Sequence, residues 1–280
     1  MSATNIYVDG FNLYYGGLRA TPYRWLDLDA LCRRVLPGHT INRIRYFAAK
    51  VTARPSDPSQ PQRQGFYLRA LATIPHLSIH LGHFLSNPVF MPLENPLPGG
   101  PAVVRVIKTE EKGSDVNLAT WLVHDAYQAD FDRAVVLSND SDLAFPIELV
   151  VNALGRPVSV LYPQRLVQGK SGPALSPAKP AGALHRAAAG RVSAIAPADF
   201  AGCQFPPELS DASGIFRKPA LWDEYVWCQA CTTADGSKAW TARGRCCPSC
   251  GAIRALAWSV IRLGQPSYPI VPHRGTRYVL

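Results

Sequence analysis

The stretch Ala134-Val135-Val136-Leu137-Ser138-Asn139-Asp140-Ser141-Asp142 decides how this chain reads. An apolar run is followed by two small polar residues, then by two carboxylates flanking a serine. Such a run reads as a short strand buried on both faces. From Leu143 to Gly155 the pattern is helical, with Pro146 tolerated in the first turn and Gly155 just past the end. Asp140 and Asp142 therefore stand where a buried strand opens into a helix. In an open parallel sheet that is the carboxyl edge, where ligands bind.

The same grammar recurs twice. Asn5-Ile6-Tyr7-Val8-Asp9 is a short apolar strand ending in an acid, followed by Gly10-Phe11-Asn12 and a helical pattern from Leu13. Val103 to Lys108 is strand-like and leads through Thr109-Glu110-Glu111-Lys112-Gly113-Ser114-Asp115 into a helix. Val116, Ala119, Leu122, Val123, Ala126 and Tyr127 share one face of that helix, and Ser114 or Asp115 is placed to cap it. Between these segments lie a helix (27–35), a strand (43–49), a Pro-rich loop (52–61), a helix (62–72), a strand (77–85) and a Pro/Gly-rich loop or open hairpin (87–101). A last strand covers 157–162. Strands alternating with helices predict an α/β, Rossmann-like domain with a mostly parallel sheet flanked by helices. Residues 163–190 read in part as a mobile basic loop that includes Lys170. The expected organisation is a domain over 1–200, a linker over 201–220 and a small domain over 221–280.

Asp9, Asp115, Asp140 and Asp142 thus fall at strand-to-helix junctions that share one edge of a right-handed parallel sheet. Gathering bare carboxylates is unfavourable: two unit charges about 4 Å apart repel by roughly 4 kcal/mol at an effective dielectric near 20. A divalent cation or a raised pKa must offset that. All-oxygen ligands suit Mg²⁺ or Mn²⁺, and such ions serve phosphate chemistry by neutralising charge and acidifying water. The bland reading of any one of these acids is a helix cap. Three such sites, two of them ending apolar strands, favour the cluster. Asn12 reads as a cap for the first helix that points at the same edge, and Ser138 as a partner of nearby backbone, with a carboxylate or a water as its second use. Lys112 reads as a solvated charge within reach of substrate phosphate.

Taken in order, Asp9-Gly10-Phe11-Asn12, Lys112-Gly113-Ser114-Asp115 and Ser138-Asn139-Asp140-Ser141-Asp142 resemble the signature segments of the NYN domain family, part of the PIN-like nuclease superfamily. The resemblance covers roughly residues 4–165, and the Gln204-Phe205-Pro206 region is similar to the tail of these proteins. It implies a PIN-like fold and a metal-dependent ribonuclease, with Asp9, Asp115, Asp140 and Asp142 as metal-site acids and Asn12 and Ser138 in support. Cleavage leaving 5′-phosphate and 3′-hydroxyl ends is implied likewise. One departure is Asn139, where such segments commonly carry Gly.

The formal net charge of +9 over 280 residues favours polyanions, with RNA as the expected partner and DNA as the alternative. Met1-Ser2-Ala3-Thr4 has neither a basic nor an apolar leader pattern, and no apolar run is long enough to span a membrane, so a cytoplasmic location is expected. Of 7 cysteines, five lie in the last quarter. Cys228-x2-Cys231 and Cys247-x2-Cys250 have the spacing of a two-knuckle structural zinc ribbon. Cys246 is an alternative to Cys247, though the Cys-Pro-Ser-Cys-Gly run favours Cys247. Arg243, Arg245 and Trp240 in that segment, with Lys170 of the basic loop, are candidates for gripping nucleic acid by phosphate contact and stacking, and packing of the small domain is an equal reading of the tryptophan. His76, His80 and His83 are a poor metal trio, because 83 leaves the face shared by 76 and 80 on a strand.

The leading function is therefore an endoribonuclease. A non-catalytic RNA-binding adaptor on the same fold is the alternative. A transferase using Asp140-Ser141-Asp142 to bind Mn²⁺ leaves Asp9 and Asp115 unexplained. A haloacid-dehalogenase-type phosphatase is disfavoured by Phe11, which stands where a second acid is needed.

Overall fold

In the computed structural model, the described residues are 2–19, 21–97, 99–164, 166–168, 175–177, 179–222, 224–232, 238–242, 258–262 and 268–269, with side chains described outside 165–178 as far as residue 222. The run Ala134–Leu137 is fully buried within β5 (Arg133–Leu137). It lies against β1 (Ala3–Asp9) in parallel, Thr4 opposite Arg133 and Val8 opposite Leu137. The other strands of this half are β2 (Thr40–Ala49), β3 (Leu77–Pro92), β4 (Val103–Lys112) and β6 (Val158–Pro163). Next come β7 (Leu166–Gln168) and β8 (Leu175–Pro177), which pair with each other, and β9 (Val192–Ile195). One sheet of seven strands runs β4-β3-β2-β1-β5-β6-β9. All its pairings are parallel except β3 with β4. The chain moves outward from β1 through β2 and β3, then returns to β5 on the other side of β1. That reversal makes the carboxyl ends of β1 and β5 the switch point of the sheet.

Both faces are covered, which is why the central strands read as continuous apolar runs. Ile6 and Val8 face one core cluster with Leu13, Trp25, Leu31 and Ile44. Tyr7 faces the other, with Leu118 and Leu122 of α4 (Ser114–Tyr127) and with Val136. Before α4 come α1 (Gly10–Leu13), continued by a π-helical turn (Tyr14–Leu18), α2 (Leu28–Val35) and α3 (Gln60–Leu71). After it come a 3₁₀ turn (Ser141–Leu143), α5 (Ala144–Asn152), α6 (Gly182–Ala187) and α7 (Pro197–Ala201).

A buried ion pair clamps α4 to the sheet. Arg45 of β2 grips Asp125 of α4 with Nε to Oδ2 at 2.7 Å and Nη2 to Oδ1 at 2.9 Å. The Tyr7 hydroxyl donates to the same carboxylate at 2.8 Å, and the guanidinium lies 3.8 Å from the Trp121 ring centroid. Burial pushes the Asp125 carboxyl up, but its bonds to Arg45 and Tyr7 outweigh that and hold it below the usual range. His80 belongs to this cluster, stacked on Phe47 at 5.0 Å, while His76 pairs with Asp29 at 2.9 Å.

The expected linker over 201–220 is instead part of the core. Residues Glu208–Asp211 (β10) and Gly214–Arg217 (β11) form an antiparallel hairpin. Phe205, Phe216 and Trp222 pack around Trp25, with ring centroids 5.9, 6.4 and 6.0 Å away. The Trp25 indole N–H donates to the Pro206 carbonyl at 2.8 Å. Prolines and short strands disguise the segment in sequence, but its rings bury large apolar areas on the body of the domain. Beyond it, β12 (Glu224–Thr232), β13 (Lys238–Ala242), β14 (Trp258–Arg262) and β15 (Tyr268–Pro269) form an antiparallel sheet in the order β13-β12-β14-β15. The side chains of Cys228, Cys231 and Trp240, and Cys246, Cys247, Cys250, Arg243, Arg245 and Lys170 altogether, lie outside the described residues.

Candidate active site

Asp9 is the last residue of β1 and is 5% exposed. Its Oδ1 accepts the Asn12 N–H at 2.9 Å, capping α1, and its Oδ2 accepts the Ser138 hydroxyl at 2.8 Å. Ser138 in turn accepts the Asp140 N–H at 3.0 Å, and the Asn12 side-chain oxygen accepts the Asn139 N–H at 3.0 Å. The ends of β1 and β5 are thus laced together, and Asn12 and Ser138 act as the lacing. Asp140 caps the 3₁₀ turn through the Asp142 N–H at 3.0 Å. Asn139 holds the loop before α6, donating to the Lys179 carbonyl at 3.2 Å and accepting the Ala181 N–H at 2.8 Å. That gives a structural use to the residue that departs from the family pattern.

Asp115 reaches the same edge by an unexpected route. Residues 77–82 of β3 pair with β2, but 83–92 continue past the sheet and pair only with β4. At ~3.4 Å per residue this arm extends roughly 30 Å beyond the edge before β4 returns. The return ends at Lys112, opposite His83, and α4 starts there. So the strand before Asp115 is antiparallel, and the hairpin delivers the acid. Gly113 turns the corner at φ 98°, a conformation that favours glycine. Asp115 is not a cap; the Ser114 N–H is bonded by Glu111 Oε1 at 3.1 Å.

The corner sits on Gly82. A Cβ there would stand 2.3 Å from the Lys112 carbonyl oxygen and 2.8 Å from Glu111 Oε1. Gly82→Ala should push the corner away and displace Asp115. The expected result is a fall in activity of about a hundredfold, out of proportion to the loss in melting temperature. Turnover and thermal unfolding measured on the same preparation check it.

These elements enclose a cleft of about 370 Å³ lined by Asp9, Asn12, Glu111, Ser114, Asp115 and Asp140, with Phe11, Tyr15, Phe84 and Arg54 on its other walls. Glu111 is a cleft acid that the sequence reading passed over, although the Glu110-Glu111 doublet beside the signature segment was there to signal it. Asp142 is exposed and does not line the cleft. Lys112 points away, 3.5 Å from Glu110. The lining acids feel one another. Asp115 is pushed up to about 6, by burial first and then by Asp9, Asp140, Glu111 and Asp142. Asp9 is also raised, chiefly by burial, against the bonds it accepts from Asn12 and Ser138. Among the described residues, no three His, Cys, Asp or Glu side chains are gathered at metal-ligand spacing. The donor set is nevertheless all oxygen and partly buried, which suits a hard cation that keeps much of its water.

Fold and cleft together define an α/β domain with an acidic site at the switch point of its sheet. Residues 3–179 match the NYN domain, and the chain belongs to that family. The family is nuclease-like in general, and nucleic acids are the typical substrates of its nuclease domains. Over 173 residues the chain is 35% identical to 6-hydroxy-3-succinoylpyridine 3-monooxygenase HspA of Pseudomonas putida (strain DSM 28022 / S16), a match covering 52% of this chain and 55% of that protein. The chain thus spans about half the length of the curated relative it matches. Among solved structures, a protein of unknown function, VPA0982, from Vibrio parahaemolyticus RIMD 2210633 is similar over 77% of this chain and 96% of that one, with a TM-score of 0.41 and 17% identity. No helix of the described residues is long and apolar enough to cross a membrane.

Proposed function

We propose that this chain is a metal-dependent ribonuclease that hydrolyses internal phosphodiester bonds of RNA. The observation that carries this reading is the meeting of Asp9, Asp115 and Asp140 in one cleft of a nuclease-like domain. Asp9, Asp115 and Asp140 would hold Mg²⁺ or Mn²⁺, with Glu111 beside them. When bound, the cation supplies neutralisation of phosphate charge and acidification of water. The chain's own work is positional. Ser138 and Asn12 fix Asp9 and the β5 exit, the Gly82–Gly113 corner presents Asp115, and Arg54 offers a positive wall to phosphate. The paired cysteines Cys228/Cys231 and Cys247/Cys250 would hold a structural Zn²⁺, and Arg243, Arg245, Lys170 and Trp240 would add grip on the strand.

Single-stranded RNA incubated with Mn²⁺ tests the reading, with chelator as control and the new ends sequenced. Internal cuts bearing 5′-phosphate, abolished by chelator, are expected. Binding without metal-dependent cleavage would favour the adaptor. The relative's name motivates a second reading, oxidation of a hydroxypyridine. Following 6-hydroxy-3-succinoylpyridine with oxygen and reduced nicotinamide or flavin present tests it directly.

Proton competition gives a further expectation. Asp115 keeps a proton below about pH 6, and a cation must displace it. Mn²⁺ affinity measured calorimetrically should fall at least about tenfold per pH unit below that point. Affinity flat across the range would exclude Asp115 as a ligand.

A further inference from the structure

A second, smaller cavity opens off the acid cleft and shares Phe11, Tyr15, Val51 and Gln60 with it. Its walls carry the rings of Phe11, Tyr14, Tyr15, Tyr46, Tyr67 and Trp222, with Arg24 and Arg63 also lining it. The rings are braced edge-to-face, Tyr14 on Tyr15 at 5.2 Å, Tyr46 on Tyr67 at 6.3 Å and Tyr67 on Trp222 at 6.2 Å. Rings held this way form a ready-made stacking platform.

The polar groups of the cavity differ in how they are used. Tyr67 donates its hydroxyl to the Leu26 carbonyl at 3.0 Å, and Gln64 bonds Val51 N–H at 2.9 Å and the Ala49 carbonyl at 2.8 Å. The Tyr46 hydroxyl has no hydrogen-bond partner among the described residues, although Tyr46 is only 7% exposed. The hydroxyl oxygen is not shut off from solvent, so it is open to a partner that enters the cavity. Gly10 ties it to the acid site: a Cβ on Gly10 would stand 2.5 Å from the Tyr46 hydroxyl oxygen. The unpartnered group therefore lies against the residue that follows Asp9.

Size sets only a lower bound on the occupant. The cavity measures about 80 Å³. A water needs roughly 10–15 Å³ on this measure, so there is room for roughly five to eight water-sized positions. That is ample for one aromatic ring with its substituents.

We propose that this cavity receives an unstacked pyrimidine base of the nucleotide adjoining the scissile phosphate, with the Tyr46 hydroxyl donating to a ring carbonyl. The assignment rests on the ribonuclease reading and supplies its base preference. Unstacked bases held between aromatic side chains are the usual mode of single-strand RNA recognition.

Two measurements on the full chain test it separately from cleavage. In the first, a randomised RNA pool is cut in Mn²⁺ and the ends are sequenced. Uracil and cytosine should dominate at one fixed position beside the cut, and Tyr46→Phe should weaken that preference by about threefold to tenfold. In the second, uridine monophosphate is titrated without metal against intrinsic tyrosine and tryptophan fluorescence. Saturable quenching is expected, lost in Ala48→Leu, which enlarges a side chain lining the cavity, and weakened in Tyr46→Phe, which keeps the fold if the larger change does not. Cleavage with no base preference and no quenching would overturn the pocket and leave the nuclease standing. Quenching with this pattern but no cleavage would keep the pocket as a pyrimidine site and overturn the nuclease.

Discussion

Asp9→Asn and Asp140→Asn should each remove RNA cleavage by about a thousandfold or more, ~4 kcal/mol of transition-state stabilisation, without loss of melting temperature. The combination follows from how the carboxylates are held. Asn keeps an oxygen at Asp140 to accept the Asp142 N–H that caps the 3₁₀ turn. At Asp9 an oxygen remains for the Asn12 N–H, and the Ser138 hydroxyl can rotate to accept from the new amide. The charge itself is unfavourable in the metal-free fold. Burial and Asp140 raise the Asp9 carboxyl above its ordinary value. A carboxylate raised in the folded state opposes folding once ionised, and stability from this group grows as pH falls through the folded pKa. Asp9→Asn should therefore melt at or above the wild-type temperature near neutral pH in chelator. Inactivity with undiminished stability identifies a chemical role. A parallel fall in both would make Asp9 a structural residue.

The largest loss of stability should come from the buried clamp between β2 and α4. Asp125→Ala leaves the Arg45 guanidinium, 6% exposed, without its bidentate partner and strips the Tyr7 hydroxyl of its acceptor. Breaking such a pair from one side typically costs about 3–5 kcal/mol. In a domain of this size that lowers the melting temperature by roughly 6–20 °C. Replacing both partners by apolar residues, Arg45→Met with Asp125→Leu, should recover most of the loss, because no buried charge is then orphaned. Since Asp125 shares α4 with Asp115, the single variant should also lose activity and the double variant regain part of it. The pair has its own pH signature. The Asp125 carboxyl lies below its unfolded value, so its contribution is present above about pH 4 and is lost as acid protonates the folded group. Equal stability of wild type and Asp125→Ala in thermal scans at neutral pH would contradict this account.

The positions of Asp9 and Asp140 at the sheet edge are legible in the sequence because each follows an apolar run that only the middle of a sheet accommodates. Asp115 was placed at the right edge for an incomplete reason. A β-arm that overshoots and returns looks, residue by residue, like a Pro/Gly-rich loop followed by a short strand. Glu111 was hidden by the same arm, because neighbours on an antiparallel return strand are set by register, which a single strand does not display. Asp142 follows Asp140 by two residues at the same strand exit. Spacing places both on one turn but does not say which carboxylate faces the cleft. The core role of Trp25 with Phe205, Phe216 and Trp222 joins residues nearly 200 positions apart. No local pattern records such a contact, so composition alone made the segment a linker.

Asp9, Asp115 and Asp140 should together hold one hard cation. Anomalous diffraction from crystals soaked in Mn²⁺ above pH 7 tests it most directly. A peak within about 2.0–2.3 Å of a carboxylate oxygen of Asp9, Asp115 or Asp140, absent in Asp140→Asn crystals soaked alike, is the expected result. An empty cleft with Mn²⁺ bound elsewhere on the chain would contradict it.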